Sequence, residues 1–307
     1  MFSSRLASKF SIRGSQCGKR AFTESHAKPN RKAIFPQSMK DQYQILPSQQ
    51  VPQGIVRPDY VGKRNQIFPS LTGNIHILNK KQIEGLKSAS QLAAKTLKHA
   101  MDKAEVGMSL DELDKIVHDY IVADGSYPSA IDFMHFPKSV CLSVNDVVSH
   151  GVPNTYVLKA GDYLNIDVVC YKDGHHGDNS AMVFLEDDTT AVHPEIKRLS
   201  RVTRESMFVA IEHCKPGLRF DKIGGIIEDY AGEHGYYVNE MFGGHGIAHS
   251  LHMAPLVHHN RTPAACRAEM RPGMAFTIEP ILHLKKEKNY YQFNDGWTMQ
   301  APGNHSC

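Results

Sequence analysis

Lys159-Ala160-Gly161-Asp162-Tyr163-Leu164-Asn165-Ile166-Asp167 and Arg271-Pro272-Gly273-Met274-Ala275-Phe276-Thr277-Ile278-Glu279 are the two stretches that decide the fold, because each sets a glycine six residues ahead of a carboxylate. Working outward from them, the same grammar recurs at a constant spacing. Gly107 and Gly217, Ile116 and Ile226, Tyr120 and Tyr230, and Gly125 and Gly235 each stand 110 residues apart. In both copies a helical run (residues 83–104, then 194–214) meets a glycine break, and a second helix follows and ends at the next glycine. Ser109, three residues ahead of Glu112, forms a capping box that opens the second helix of the first copy. A duplication of this length predicts two related halves, about residues 79–187 and 193–300, each built from helices and strands.

A carboxylate in the same place on two pseudo-symmetric halves will face its counterpart across the seam, a ready place for a metal. Alternation puts Leu164, Ile166 and Val168 on one face of the first strand and Asn165, Asp167 and Val169 on the other. Asp173-Gly174 is a two-residue hairpin signal that pairs residues whose numbers sum to 347. Asp167 then lies opposite Ser180, and Asp178 sits diagonally beside Asp167 on the same face, roughly 5 to 8 Å away at Cβ. Carboxylates that close stay ionised only around a cation; otherwise one keeps its proton. The competing reading is a hydrogen-bonded surface hairpin with no ligand. The second half adds Phe242-Gly243-Gly244-His245-Gly246-Ile247-Ala248-His249-Ser250-Leu251-His252, whose glycines are expected to let backbone and imidazole approach a ligand closely. Among 18 histidines single positions carry little weight, and His249, His258 and His259 read as solvated or loosely packed.

With 41% hydrophobic residues in 307, the chain can bury a core. Its net charge of +3 is small, much of the excess sits at the N-terminus, and no nucleic-acid motif is present. Six scattered cysteines without a CxxC pair exclude a zinc finger and a dense disulfide framework, and predict reduced thiols. No apolar run approaches the roughly 18 residues that would cross a bilayer, so a soluble protein is expected. Residues 1–40 carry Arg5, Lys9, Arg13, Lys19, Arg20, Lys28, Arg31, Lys32 and Lys40 against the single acid Glu24, the composition of an organellar transit peptide. That predicts a mitochondrion, or a plastid; read as a solvated basic tail, the same segment is compatible with the cytoplasm. Residues 41–75, rich in Pro and Gln, are expected to run extended along a catalytic domain of residues 76–307.

Taken together, Ser149-His150-Gly151-Val152-Pro153, Asn165-Ile166-Asp167, His176-Gly177-Asp178-Asn179-Ser180, Gly244-His245-Gly246-Ile247, Leu251-His252-Met253-Ala254-Pro255 and Phe276-Thr277-Ile278-Glu279-Pro280 stand in the order and spacing of type 1 methionine aminopeptidases, which the chain resembles over about residues 70–298. The short interval between Asp178 and His245 has no room for the helical insertion of type 2 enzymes. The resemblance implies an α+β pita-bread fold: pseudo-twofold duplicated halves with an inner antiparallel sheet and outer helices. It implies co-translational removal of the initiator methionine from nascent proteins by metal-activated hydroxide attack on the first peptide bond. The partners are then the N-terminal Met of nascent polypeptides and the ribosome, with no membrane, and the chain is a monomer. The cofactors are two divalent metal ions (Co, Mn, Fe or Zn), with Asp167 a ligand to one, Asp178 a bridge, and His245 and Glu279 ligands to the other. His150 and His252 become the catalytic and substrate-orienting histidines, and Phe133, Phe136, Cys141, Leu251 and Trp297 the wall of the methionine pocket. Phe133 and Phe136 replace family tyrosines, Ala130 stands near a frequent cysteine and Leu251 replaces an aromatic, which predicts a looser side-chain preference.

Two alternatives stay open. One is a Pro-specific peptidase of the same fold, against which the run Phe136 to Cys141 and Trp297 argue. The other is a catalytically impaired or non-enzymatic binding protein on this scaffold. The family places a bridging Glu about a dozen residues after Asp295-Gly296-Trp297-Thr298, on a final strand, and Met299 to Cys307 contain no acid. The expectation is a C-terminally truncated domain that lacks the final strand, with an open sheet edge and a weakened second metal site.

Overall fold

The computed structural model describes residues 32–307, so most of the expected leader lies outside the described residues. The first half runs β1 (Lys32–Ile34), α1 (Lys80–Lys103), α2 (Leu110–Ala123), β2 (Tyr127–Pro128), β3 (Cys141–Val144), β4 (Val147–Ser149), β5 (Tyr163–Lys172), β6 (His175–Phe184) and β7 (Thr190–Val192). The second runs α3 (Pro194–His213), α4 (Asp221–Glu233), β8 (Tyr237–Val238), β9 (Gly244–Gly246), β10 (Met253–Val257), β11 (Leu282–His283), β12 (Tyr291–Gln292) and β13 (Met299–Gln300). With helices packed on antiparallel pairings in each half, the molecule is the α+β pita-bread arrangement.

Local signals start and stop these elements. Asn79 and Gln82 form a reciprocal capping box at α1, Ser109 and Glu112 form the expected one at α2, and Pro194 takes the first turn of α3, where its missing N–H costs nothing. Along α1, Ala89, Leu92, Ala93, Thr96, Leu97 and Ala100 make a buried stripe at helical spacing, of which Leu92, Ala93, Leu97 and Ala100 share one core with Leu164, Ile166, Val168 and Cys170 of β5. Asp173 and Gly174 take left-handed backbone (φ 52° and 75°), which lets β5 turn directly into β6. The observed register pairs Asp167 with Ser180 and Val169 with Asp178, as the sum of 347 predicts.

The duplication extends to individual hydrogen bonds. Gly107 N–H donates to Leu158 O as Gly217 N–H does to Met270 O, and Leu110 N–H donates to Tyr156 O as Phe220 N–H does to Ala268 O. Tyr127 pairs with Tyr171 as Tyr237 pairs with His283.

Both ends of the described chain are tied down. Lys32–Ile34 pairs in parallel with Thr190–Val192, and Met39 is buried in the core, so the last residues of the expected leader are seated on the domain. Residues 41–75 form no helix or strand but run along the domain, placing Tyr43, Ile45 and Tyr60 against its apolar clusters. At the other end β13 pairs with β12 and β4, and Cys307 exchanges two backbone hydrogen bonds with Leu282 (2.9 and 3.1 Å). This corrects the expectation of an open edge: the tail itself covers β11, because extended backbone of any sequence can satisfy a free strand. No helix of the described residues is long and apolar enough to cross a membrane.

Candidate active site

The first half brings Asp167 and Asp178 to one face of the β5–β6 hairpin, near enough to share a hydrogen bond. In the second half His245 sits on β9, pinned to the strand-like run before Glu279: Thr277 N–H donates to His245 O (2.8 Å) and His245 N–H to Thr277 Oγ1 (2.9 Å). A Cβ on Gly244 would lie 2.3 Å from Thr277 O, and one on Gly246 would lie 2.2 Å from Ala254 O. The glycines expected to admit a ligand thus serve first to let neighbouring backbone approach, and that approach is what aims His245.

His245 Nε2 lies 3.6 Å from Asp178 Oδ2 across the seam and 3.5 Å from Glu279 Oε1 of its own half. His245 Nδ1 faces the Gly246 carbonyl at 3.1 Å, which can only accept, so the ring proton belongs on Nδ1 and the Nε2 lone pair points at the carboxylates. Ligand atoms of Asp178, His245 and Glu279 all lie within 4.8 Å of one another. Asp167 lies beside the group on the same hairpin face as Asp178, and its Oδ1 is buried without a partner.

Burial raises the Asp167 carboxyl to about 6, and burial with the charges of Asp167 and Glu279 holds Asp178 well above the usual carboxylate range. Burial, opposed by the Thr277 hydroxyl and aided by Asp167, takes Glu279 to about 8, although 46% of its side chain remains exposed on the open side of the group. Burial lowers His245 to about 4 and keeps it neutral. Crowded carboxylates, an orphaned carboxylate oxygen and an inward imidazole lone pair with its other nitrogen bonded to a carbonyl fit a divalent cation. Oxygen-rich ligation with one imidazole suits Mn, Fe, Co or a catalytic Zn.

His252 stacks its edge on His245 at 4.1 Å between ring centroids, and its Nδ1 is buried without a partner. His150 holds left-handed backbone (φ 55°) and lies edge-on to Phe242 and Trp297 at 5.3 and 5.7 Å. Burial lowers His150 to about 4 and, with the neighbouring histidines, His252 well below its ordinary value, so both are neutral.

Phe133, Phe136, Cys141, Leu251 and Trp297 gather in one apolar cluster beside these histidines. Cys141 lies directly across from Asp167 on β3, and burial with the Asp167 and Asp178 charges keeps its thiol protonated. Beneath the loop between Phe136 and Cys141 the fully buried Lys138 ammonium pairs with Asp111, and Asp114 accepts from Ser139 N–H (2.7 Å), which anchors that wall.

His259 corrects a sequence expectation. It is buried, its Nε2 accepts from Glu279 N–H (3.2 Å), and burial pushes it down to about 3. The alternation of β10 continued past its end puts His259 on the same face as the buried Val257, a signal that could have found it. His249 is exposed, as expected, whereas His258 is half-buried. Tyr60 and Phe68, from the segment expected to be a linker, also reach the site: the Phe68 ring lies 5.3 Å from His252 and Tyr60 5.2 Å from Phe133.

Comparison with known proteins gives this arrangement its relatives. Residues 84–301 match the model of metallopeptidase family M24. The chain is 38% identical over 255 residues to methionine aminopeptidase 1D, chloroplastic/mitochondrial, of Arabidopsis thaliana, covering 83% of this chain and 70% of that protein. It is 38% identical over 273 residues to methionine aminopeptidase 2 of Mycobacterium tuberculosis, covering 88% and 90%. Among solved structures, a methionine aminopeptidase from Rickettsia prowazekii superposes with a TM-score of 0.72 at 33% identity, covering 76% of this chain and 93% of that one.

Proposed function

This chain belongs to metallopeptidase family M24, in its methionine aminopeptidase branch, and we propose on that premise that it removes the N-terminal methionine from newly made proteins as they leave the ribosome. The observation that carries the reading is the group Asp178, His245 and Glu279, with Asp167 beside it, opening next to an apolar pocket of aromatic rings and a thiol.

Membership in a metallopeptidase family means divalent metal use. We assign one site to Asp178, His245 and Glu279 and a second to Asp167 with Asp178. A divalent cation there supplies Lewis-acid polarisation of a carbonyl and lowers the pKa of a water. The chain's own residues do the rest. Neutral His252 and His150 orient the scissile amide by hydrogen bonds and can hold or pass a proton. Phe133, Phe136, Leu251 and Trp297 exclude water and receive an unbranched thioether, for which sulfur–aromatic contact is favourable. Glu279, pinned by Thr277 and His259, stays aimed at His245 of its own half.

Organellar forms among the relatives, together with the basic, acid-poor N-terminus, support a mitochondrial location, with a plastid as the alternative. A fluorescent protein carrying residues 1–40 should enter that organelle.

The decisive assay is release of methionine from Met-Ala-Ser by the full chain loaded in turn with Co, Mn, Fe and Zn. Cleavage is expected, chelation should abolish it, and a Xaa-Pro peptide should stay intact. His150→Ala and His252→Ala should each lower turnover by at least about 100-fold at unchanged metal content; equal loss of metal would make these histidines ligands. An intact Met-Ala-Ser with every metal would overturn the reading.

A further inference from the structure

We propose that residues 59–69 form the outer wall of the pocket that receives the substrate's first side chain, with Phe68 and Tyr60 helping to set which side chain fits. This rests on the aminopeptidase reading above.

Three observations carry it. First, the segment is clamped to the turn that bears Phe133. Gln66 donates from Nε2 to Asp132 O (2.6 Å) and accepts from Met134 N–H (2.7 Å) at Oε1, Gly62 N–H donates to Asp132 Oδ2, His135 Nε2 lies 3.2 Å from Arg64 O, and the Tyr60 hydroxyl donates to Ser129 O. Asp132, Met134 and His135 all hold left-handed backbone (φ 63°, 48° and 68°), a conformation non-glycine residues keep only when their surroundings impose it. The clamp supplies that constraint, so the position of Phe133 depends on residues 60–66.

Second, a cleft of about 270 Å³ lies between the two segments. Tyr60, Gln66, Ile67 and Pro69 form one side, and Phe133 and Leu251 form the other. Phe133 and Leu251 also belong to the apolar cluster beside the metal group, so cleft and cluster share a wall. Leu251 is smaller than an aromatic ring, and the Tyr60 ring, edge-on to Phe133 at 5.2 Å, adds apolar surface on the opposite side.

Third, Phe68 covers His252. Its ring stacks at 5.3 Å and 30° on His252, which in turn meets His245 at 4.1 Å, yet 48% of Phe68 is exposed. A peptide whose amino group lies at the metal group, with its first side chain on Phe133, passes under that ring and buries it. Half-exposed aromatic surface beside Phe133 and His252 is where such a contact yields binding energy.

The test uses the full, metal-loaded chain with Phe68→Ala, Phe68→Leu and Gln66→Ala, assayed on Met-Ala-Ser, norleucine-Ala-Ser and Leu-Ala-Ser. Loss of the Phe68 ring should raise KM for Met-Ala-Ser about 5- to 10-fold, change kcat less than about twofold and narrow the preference for Met over Leu. Phe68→Leu should restore most of the loss, and methioninamide should bind Phe68→Ala more weakly by a similar factor in calorimetry. Gln66→Ala should raise KM in the same way by loosening the turn. A fall in kcat alone would place Phe68 on His252 and not in the wall, and an altered dependence on the second residue would move the segment to another subsite; either result overturns the inference. Unchanged KM and preference in an active wild-type background overturns it while leaving the aminopeptidase reading in place. An inactive wild type instead overturns the aminopeptidase reading.

Discussion

Burial keeps the His283 imidazole neutral, and this gives the fold an acid limit that does not depend on catalysis. His283 is 1% exposed, its Nε2 accepts from Asn239 (2.9 Å), and its Nδ1 has no partner; burial lowers its pKa to about 4 against a small opposing pull from Glu287. In the unfolded chain the ring protonates near its ordinary value of about 6.5, while the folded chain resists until about 4. The unfolded state therefore binds more protons below 6.5. The contribution is fully present above that pH and is lost as pH falls through the window down to about 4, reaching about 2 kcal/mol at pH 5. Urea unfolding at pH 7.5 and pH 5 should show wild type losing about 2 kcal/mol more than His283→Gln, which keeps an acceptor but cannot protonate. Equal losses would mean that the ring is solvated in the folded state.

Among the elements, the contact of α1 with the β5–β6 hairpin depends on one missing side chain. A Cβ on Gly177 would lie 2.3 Å from the carbonyl carbon and oxygen of Ala89, both backbone atoms that cannot swing away. Gly177→Ala should push α1 off the sheet and destabilise the chain by about 1–3 kcal/mol. Because Gly177 adjoins Asp178, metal affinity should fall with it, which a melting curve and a metal titration on one sample would both read. Elements whose logic is local were legible in the sequence. Asp173-Gly174 dictated the hairpin register, Ser109 and Glu112 the start of α2, and the 110-residue spacing the repeated helix pairs. Of the four side chains proposed to bind metal, Asp167 and Glu279 stand at the same place in the repeated stretches and Asp178 is set beside Asp167 by the hairpin register, whereas His245 and the ligand roles rest on the family resemblance. What stayed hidden depends on distant partners. Residues 59–69 show no periodicity, and their path is set by Asp132, Met134 and Ser129 about seventy residues away. His259 is defined by the Glu279 backbone, and Gly244 and Gly246 by strands that approach them from elsewhere.

At the scale of the molecule, the two halves each carry part of the proposed cation site, so metal binding there would also clamp the seam. Asp167 and Asp178 come from the first half and His245 and Glu279 from the second, held there by separate supports: the hairpin on one side, Thr277 and His259 on the other. Without a cation, burial raises all three carboxyls, the neighbouring acids raise Asp178 and Glu279 further, and either protonation or separation of the halves is favoured. A ligand that binds only the folded chain stabilises it by mass action, about 2.7 kcal/mol at a hundredfold excess over Kd. At about 2–4 °C per kcal/mol for a domain of this size, chelation should lower Tm by roughly 5–10 °C. Asp178→Asn, which keeps the shape but removes the carboxylate that faces His245 from the first half, should abolish most of that difference while raising the Tm of the metal-free chain, because it relieves the repulsion. An Asp178→Asn variant whose metal-free Tm falls below that of wild type would show instead that the carboxylates already share protons without cost, and that the seam is held by packing alone.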